Sequence, residues 1–336
     1  MNIEERINAF VKLGDFIGQL TEKEIDELHL QAVGHNNWFT RDSIVSSLKG
    51  IEVYLTGESL NKWVGTYQFT NNSAKNVGVI LAGNIPMVGF HDLLSVLISG
   101  HHLHAKLSSQ DPFLLKFLSE KIIEIEPRFK ESIQFIERMN DVEALIATGS
   151  DNSARYFEYY FSKIPHVIRK NRSSCAVLTG KESAQEINKL GNDIFQYYGL
   201  GCRNVSKIYV PVDFDFIPFL DALQDYAHVL DHHKYSNNYD YNKSIYLVNK
   251  VPHLDTGFLL LHESEQVVSP ISVLYYEYYN DDNDLQQKLS QQSEKLQCIV
   301  SEGVIKESIK IGHAQNPSLW DYADGVDTLA FLQALS

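Results

Sequence analysis

Cysteine is scarce in this 336-residue chain. Cys175, Cys202 and Cys298 are the three it has, and no two of them form a Cys-X-X-Cys pair. An odd, sparse count fits a reducing cytoplasm better than a disulfide scaffold, and it excludes a cysteine-built zinc knuckle. Positive charge is also in short supply: 29 Lys and Arg against 43 Asp and Glu leave a formal net charge of −14. A chain this acidic is a poor partner for a nucleic-acid backbone, although a local basic patch could still hold a nucleotide or coenzyme. Long apolar runs are missing too. The most apolar stretch, residues 77–100, is interrupted by Asn84, Pro86, His91 and Asp92, so no membrane span is expected. The opening MNIEERINAFVKLGDF is charged and amphipathic, unlike a secretory signal. What remains is 44% hydrophobic and 21% charged, which suits a cytoplasmic protein with a sizeable core and about two domains.

The order of patterns points to an α/β protein. Residues 1–73 read as helices and loops, with Thr21 and Glu24 at capping-box spacing ahead of Ile25, Leu28 and Leu30. Short apolar runs at 77–81, 102–107 and 143–147 predict strands. Between them lie a helix over 90–98, ended by Ser99-Gly100, a helix opened by Pro112, and a helix from Asp151 onward. Alternating strands and helices predict a parallel sheet covered on both faces. Past about residue 165 the texture changes. Strands are predicted at 176–178 and 207–210 around a helix at 183–198, and further strands at 244–248, 258–262, 273–279 and 296–300. The polar, tyrosine-rich residues 231–243 read as a surface loop or insertion. Neither an internal repeat nor a low-complexity linker is present.

Four places could carry chemistry. Cys202 follows a Gly-X-Gly turn (Gly199, Leu200, Gly201) between a helix and a strand. Glycines there let backbone amides approach whatever the sulfur attacks, and Arg203 and Lys207 add positive potential that favours a thiolate. A small packed cysteine is the competing reading. Asn84, in Gly83-Asn84-Ile85-Pro86, falls just past a strand's C-terminal end, where ligands of α/β sheets gather and where a side-chain amide could donate to an oxyanion; a turn-capping asparagine is the alternative. Lys106 closes the second strand. Thr148-Gly149-Ser150 closes the third and opens a helix whose N–H groups suit a phosphate. A surface lysine and a plain helix cap would explain these two singly. Polar groups at three successive strand ends say more than any one of them.

The succession AGNIPMVG, SGHHLHAKLSS, IATGSD and a cysteine followed by VSKIYVP resembles the aldehyde dehydrogenase superfamily. It is most similar to its acyl-CoA reductase branch, the fatty acid reductases of bacterial luminescence and their short relatives. The resemblance runs over residues 75–280 and is most specific at 83–101; residues 1–70 are shorter than the superfamily's usual N-terminal region. It implies a parallel-sheet cofactor domain with N-terminal helices over residues 1–168, a second α/β catalytic domain carrying the nucleophile over 169–305, and a C-terminal segment, 306–336. Carried over by position, Cys202 matches the nucleophile and Asn84 the amide that shares the oxyanion hole with the cysteine N–H. Lys106 matches the lysine at the adenosine ribose, and Ser150, with Thr148 and Gly149 before it, the pyrophosphate contact.

Departures from the pattern sharpen the expectation. Hydrolytic members carry a glutamate that activates water for deacylation. The matching stretch here, Ile168-Arg169-Lys170-Asn171-Arg172, holds no acid, so a thioester on Cys202 would persist. The same stretch could attract an acidic ligand or be a solvated face. Where NAD-preferring members often have glutamate this chain has Ser109, which permits the 2′-phosphate of NADPH, with NADH as the alternative. The loop that holds the nicotinamide ribose matches Glu265-Gln266 through Ser269-Pro270, with Gln266 where the acid would fall. His102 and His104, two apart on a strand, and Asp231-His232-His233 near Asp213 and Asp215 could in principle bind a metal, but none is expected. The resemblance therefore implies an NADPH-dependent reductase of an acyl-CoA or other acyl thioester, releasing coenzyme A and an aldehyde, and self-associating as superfamily members often do. The alternatives are another acylating or oxidising aldehyde dehydrogenase and a non-catalytic binding member of the fold.

Overall fold

Two capping boxes start the fold. Asn2 caps α1 (Ile3–Gly18) with Glu5 reciprocating, and Thr21 does the same with Glu24 for α2 (Glu22–Val33). Thr40 and Thr56 cap α3 (Arg41–Tyr54) and α4 (Gly57–Val64). The computed structural model describes residues 1–69 and 74–335. It divides the chain into one unit of Met1–Asn171 with Ser318–Ser336 and a second of Arg172–Pro317.

In the first unit a parallel five-stranded sheet follows the helices. Its strands are β1 (Asn76–Ile80), β2 (His102–Lys106), β3 (Ile133–Phe135), β4 (Ala144–Thr148) and β5 (His166–Arg169), in the order β3-β2-β1-β4-β5. The connections are α5 (Phe90–Ser99), α6 (Leu114–Ile125) and α7 (Asp151–Phe161). The three strands predicted from the apolar runs appear within a residue of their expected limits; the short β3, whose positions are exposed or half-buried, and the four-residue β5, whose buried positions are Val167 and the charged Arg169, were not foreseen.

Helix α5 controls the packing of this unit. Nine of its ten residues are buried, as befits a helix that is apolar all round. One of the nine is Asp92, and a buried carboxylate needs a cation. Arg169, at the end of β5, supplies it: Nη1 donates to both carboxylate oxygens at 2.7 Å, and Nη2 donates to Thr328 Oγ1 at 2.8 Å.

In the second unit the strands are β6 (Ser173–Val177), β7 (Val205–Pro211), β8 (Leu254–Asp255), β9 (Leu260–Glu263), β10 (Val273–Tyr279) and β11 (Leu296–Val300), ordered β11-β6-β7-β10-β9-β8. All neighbours are parallel except the β8–β9 edge. The helices are α8 (Ala184–Phe195), α9 (Phe216–Ala222), α10 (His233–Val248) and α11 (Asp282–Gln292).

Here two expectations are corrected together. Residues 231–243 are no loop and 244–248 no strand, because both belong to α10 and the short 3-10 turn before it. Tyr235, Tyr239 and Asn242 recur on one helical face and are buried. The Tyr235 hydroxyl donates to Phe258 O at 3.1 Å, the Tyr239 hydroxyl donates to Asp255 at 2.6 Å, and Lys243 pairs with Asp255 at 2.8 Å. The polar composition that looked like solvent exposure is partly a set of buried partners.

The C-terminal residues divide between the units. Those up to Pro317 stay with the second, and those from Ser318 return to the first with α12 (Thr328–Gln333). Leu319, Leu329 and Leu332 enter the first unit's core, and Tyr322 takes hydrogen bonds from Trp63 Nε1 (2.8 Å) and shares one with Tyr67 (2.9 Å).

The Asp92–Arg169 pair makes a prediction. Arg169→Ala leaves the carboxylate buried and alone, and is expected to lower stability by about 3–5 kcal/mol in urea unfolding at neutral pH. A loss below about 1 kcal/mol, as for an exposed pair, would show that the bond does not hold the fold.

Candidate active site

At the C-terminal edge of the first sheet, register fixes which loops are neighbours. Ile80 lies opposite Lys106 on one side and Ala147 on the other. The polypeptide leaves β1 toward β2 and later returns to place β4 on β1's other side, so the loops after β1 and β4 flank a topological switch point, where ligands of open α/β sheets bind. Asn84 follows β1, Lys106 ends β2 with Ser109 after it, and Thr148, Gly149 and Ser150 end β4 and enter α7. The sheet thus brings six of the nine singled-out residues to one edge.

The loop bearing Asn84 is clamped from three sides. Asn36 Nδ2 donates to Gly83 O (3.1 Å), Ser47 Oγ donates to Pro86 O (2.7 Å), and Asp111 Oδ2 accepts from the Met87 N–H (2.8 Å). Met87 is held at a positive φ of 55°, a conformation that a non-glycine residue keeps only when its surroundings insist. Asp111 is buried, and its other oxygen accepts from the Leu114 N–H at 3.2 Å. Burial raises its carboxyl to about 6 in spite of both amides. Sequence reasoning passed over Asn36, Ser47 and Asp111; the one local signal was Asp111 before Pro112, a helix-start pattern that concealed a second duty.

Lys106, Ser109 and Ser150 are exposed, and Asn84, Thr148 and Gly149 half-buried. Ser150 caps α7 by accepting from the Ser153 N–H at 3.3 Å. A Cβ on Gly149 would stand 2.9 Å from Ser153 Cβ and 3.1 Å from the Phe157 ring, so glycine is what lets the β4 exit lie tight against the helix start. An exposed lysine, a helix N-terminus and a side-chain-free backbone at one edge suit a dinucleotide's ribose and pyrophosphate.

In the second unit Cys202 sits where the chain turns from α8 into β7. After Phe195 the backbone enters the left-handed region at Tyr197 (φ 53°), Tyr198 (φ 57°) and Gly199 (φ 77°). Two consecutive tyrosines held there signal strain at this turn. Asn204, almost fully buried, stabilises it: Oδ1 accepts from the Gly201 N–H (2.8 Å), and Nδ2 reaches the carbonyls of Asp193, Ile194 and Gln196 (3.1, 3.2 and 2.8 Å). One side chain thereby ties off α8 and fixes the Cys202 turn. Cys202 itself is exposed, while Cys175 is buried and its thiol pushed well up by desolvation.

Beneath the turn, Ser174 Oγ donates to Cys202 O at 3.1 Å, and Ser206 Oγ donates to Val267 O at 2.7 Å. The second bond ties the strand behind Cys202 to the loop of Glu265 and Gln266, both exposed. This is how the remaining three residues are related.

Two sequence expectations fail on electrostatics. Lys207 does not lend its charge to Cys202: it is fully buried on β7 and ion-paired with Glu277, which also binds Lys288 at 2.7 Å. Arg169 does not attract a ligand either, being committed to Asp92. Among the described residues no three His, Cys, Asp or Glu side chains are grouped as metal ligands, and no helix is long and apolar enough to cross a membrane.

Comparison with solved structures decides the architecture. The NAD+ complex of an aldehyde dehydrogenase from Bacillus cereus superposes with a TM-score of 0.63 at 15% identity, covering 94% of this chain and 74% of that one. An NAD-dependent aldehyde dehydrogenase from Sinorhizobium meliloti gives 0.67 at 11% identity, over 91% and 71% of the two chains. The fold is that of the aldehyde dehydrogenases. A long-chain acyl-protein thioester reductase from Photorhabdus laumondii is 22% identical over 190 residues, which cover 51% of this chain and 39% of that protein. The match therefore spans well under half the relative's length. No protein-family model matches.

Asp111 generates a pH prediction. Burial raises its folded carboxyl to about 6 from an ordinary 3.8, so the folded state binds the extra proton. Stability from this group is full below pH 4 and is lost as pH rises through 6, by on the order of 3 kcal/mol. The stability difference between wild type and Asp111→Asn should therefore fall by that order between pH 4 and pH 7 in paired urea titrations. A difference that does not move with pH would contradict it.

Proposed function

We propose that this protein is an acylating oxidoreductase that reduces an acyl thioester to an aldehyde through an acyl-cysteine on Cys202. The observation that carries the reading is the exposed thiol of Cys202 on a turn clamped by Asn204, in a chain of aldehyde dehydrogenase fold. The distant thioester reductase supports the substrate class and adds a choice of acyl carrier, coenzyme A or a protein thiol. The dehydrogenase neighbours, one with NAD+ bound, support a nicotinamide cofactor.

The chain's residues would act as follows. Cys202 thiolate attacks the thioester carbonyl carbon, and the Asn84 amide and the Cys202 N–H donate hydrogen bonds to the oxyanion that forms. Collapse breaks the carbon–sulfur bond to the carrier, which leaves as a thiolate and takes up a proton. No acid stands at 168–172 to activate water, and its one fully buried cation is locked to Asp92, so the acyl-cysteine is protected from hydrolysis. Lys106, Ser109 and the Thr148–Gly149–Ser150 entry to α7 would hold the adenosine ribose and pyrophosphate, and Glu265 or Gln266 the nicotinamide ribose. The bound cofactor would supply the hydride, two electrons, that takes the acyl group to the aldehyde level; the carbon–sulfur bond to Cys202 then breaks, releasing the aldehyde and restoring the Cys202 thiolate. Ser109 leaves room for a 2′-phosphate, which favours NADPH over NADH. Three cysteines without a disulfide suit a cytoplasmic setting, and the fold's relatives suggest a homo-oligomer.

Two measurements test this. Oxidation of NADPH with a panel of acyl-CoAs should depend on the acyl donor and fall by at least about a thousandfold in Cys202→Ala; donor-dependent turnover that survives the substitution would refute Cys202 as nucleophile. Ser109→Glu should lower kcat/KM for NADPH relative to NADH by roughly tenfold or more, since a carboxylate there repels the 2′-phosphate. An unchanged ratio would remove Ser109 from the coenzyme site.

A further inference from the structure

Behind the Cys202 turn, α8 carries a carboxylate that the reaction above does not use. Asp193 is fully buried, and a buried carboxylate is costly unless its oxygens are satisfied. Two backbone amides satisfy them: Oδ2 accepts from the Gly312 N–H at 2.6 Å and Oδ1 from the Ala314 N–H at 2.9 Å. These donors stand 119 and 121 residues further along the chain. The bonds therefore fasten a distant segment onto α8.

The chain is shaped for this approach. Gly312 has a φ of +84°, and a Cβ there would stand 2.9 Å from Lys189 Cβ of α8, so glycine is what lets the segment lie so close. Ile311 and Ala314 are buried on either side of it.

The segment held in this way reaches the cysteine turn. Ala314 O accepts from Arg203 Nε at 2.6 Å, and Arg203 is the residue after Cys202. Asn204, next again, leads back to α8 by donating to Asp193 O at 3.1 Å. A closed circuit thus runs from the Asp193 carboxylate through Ala314 and Arg203 to Asn204, and returns to the Asp193 carbonyl. Both neighbours of Cys202 hang on it, Arg203 through Ala314 and Gly201 through its N–H to Asn204 Oδ1 at 2.8 Å. The sequence suggested that Arg203 lends charge to the thiol; the structure gives its Nε a tethering bond.

We propose that Asp193 is a positioning residue for thioester attack: by fixing residues 312–314 it anchors Arg203, and so holds the Cys202 sulfur and N–H where the acyl group must meet them. The inference rests on the acyl-cysteine reading and names a residue that serves it. The circuit calls for the ionised carboxyl, because a neutral one, like an amide, accepts well through one oxygen only. Burial pushes this carboxyl up to about 6, against the two amides and against His313 and Arg203 nearby. Tyr226, which packs against Gly191 of α8, has its phenol raised by burial and is neutral throughout that range.

Steady-state kinetics on the full chain test this, with acyl-CoA as donor and NADPH as reductant. Asp193→Asn keeps the shape and gives up one acceptor. At about pH 8 it should lower kcat on the order of tenfold or more and leave KM for the acyl donor within about twofold. Arg203→Met should lose a similar factor, and Arg203→Lys, which can still donate to Ala314 O, should recover much of it. The double variant Asp193→Asn with Arg203→Met should be no worse than either single one, because both break the same circuit. The wild-type advantage over Asp193→Asn should also shrink as pH falls below about 6. If Asp193→Asn does not fold, the two variants of the half-buried Arg203 decide alone. An unchanged kcat in the folded variants, losses that multiply in the double variant, or an advantage independent of pH would overturn the proposal. Turnover that needs Cys202 but neither Asp193 nor Arg203 would strike this inference and leave the acyl-cysteine reading standing. Turnover that is absent, or that survives Cys202→Ala, would strike both.

Discussion

Parallel strand pairing is the constraint from which the rest of this structure follows. Two parallel strands cannot be joined by a tight turn, so each reversal runs through a covering connection and every strand leaves the sheet at the same edge. In the first unit that rule delivers the exits of β1, β2 and β4 side by side. It also buries the covering helix α5 on all sides, which turns Asp92 into an obligation met by Arg169 and Thr328. The opposite edge inherits the helix C-termini and strand entries, and there Arg6 of α1 donates to Ile98 O at the end of α5.

Loops at such edges are useful only if they are rigid, and the chain spends buried side-chain hydrogen bonds there. Asn36, Ser47 and Asp111 hold the loop of Asn84. Asn204 holds the turn of Cys202. In each case the side chain bonds backbone groups that ordinary secondary structure leaves unsatisfied, so stability and positioning come from the same bonds. The strained backbone at Met87, Tyr197 and Tyr198 shows where these clamps override local preference.

Much of the fold was legible in the sequence because period carries it. Val77 to Ile80 and Val273 to Tyr279 are apolar runs of strand length, and Phe90 to Ser99 is unmistakably a buried helix. Helix α10 was misread because its buried face is made of Tyr235, Tyr239 and Asn242, whose hydroxyl and amide groups look solvent-facing until their partners are seen. Lys207 was misread for the complementary reason: a lysine next to a cysteine suggests an activating charge, and only the pairing of β7 with β10 places Glu277 against it. The positions of Cys202 and Asn84 were readable from glycine turns and strand ends. Their clamps were not, since Asn36 and Asp111 reach the loop from other elements and no local pattern announces such a bond.

The central claim is that Cys202 carries the acyl group, and the most direct measurement is a rapid-quench intact-mass experiment with acyl-CoA and no reductant. The account predicts a single acyl adduct, mapped by peptide analysis to Cys202 and absent from the buried Cys175 and from Cys298, that accumulates without a reductant and disappears when NADPH is added. An adduct located on another residue, or none with any acyl-CoA, would contradict it.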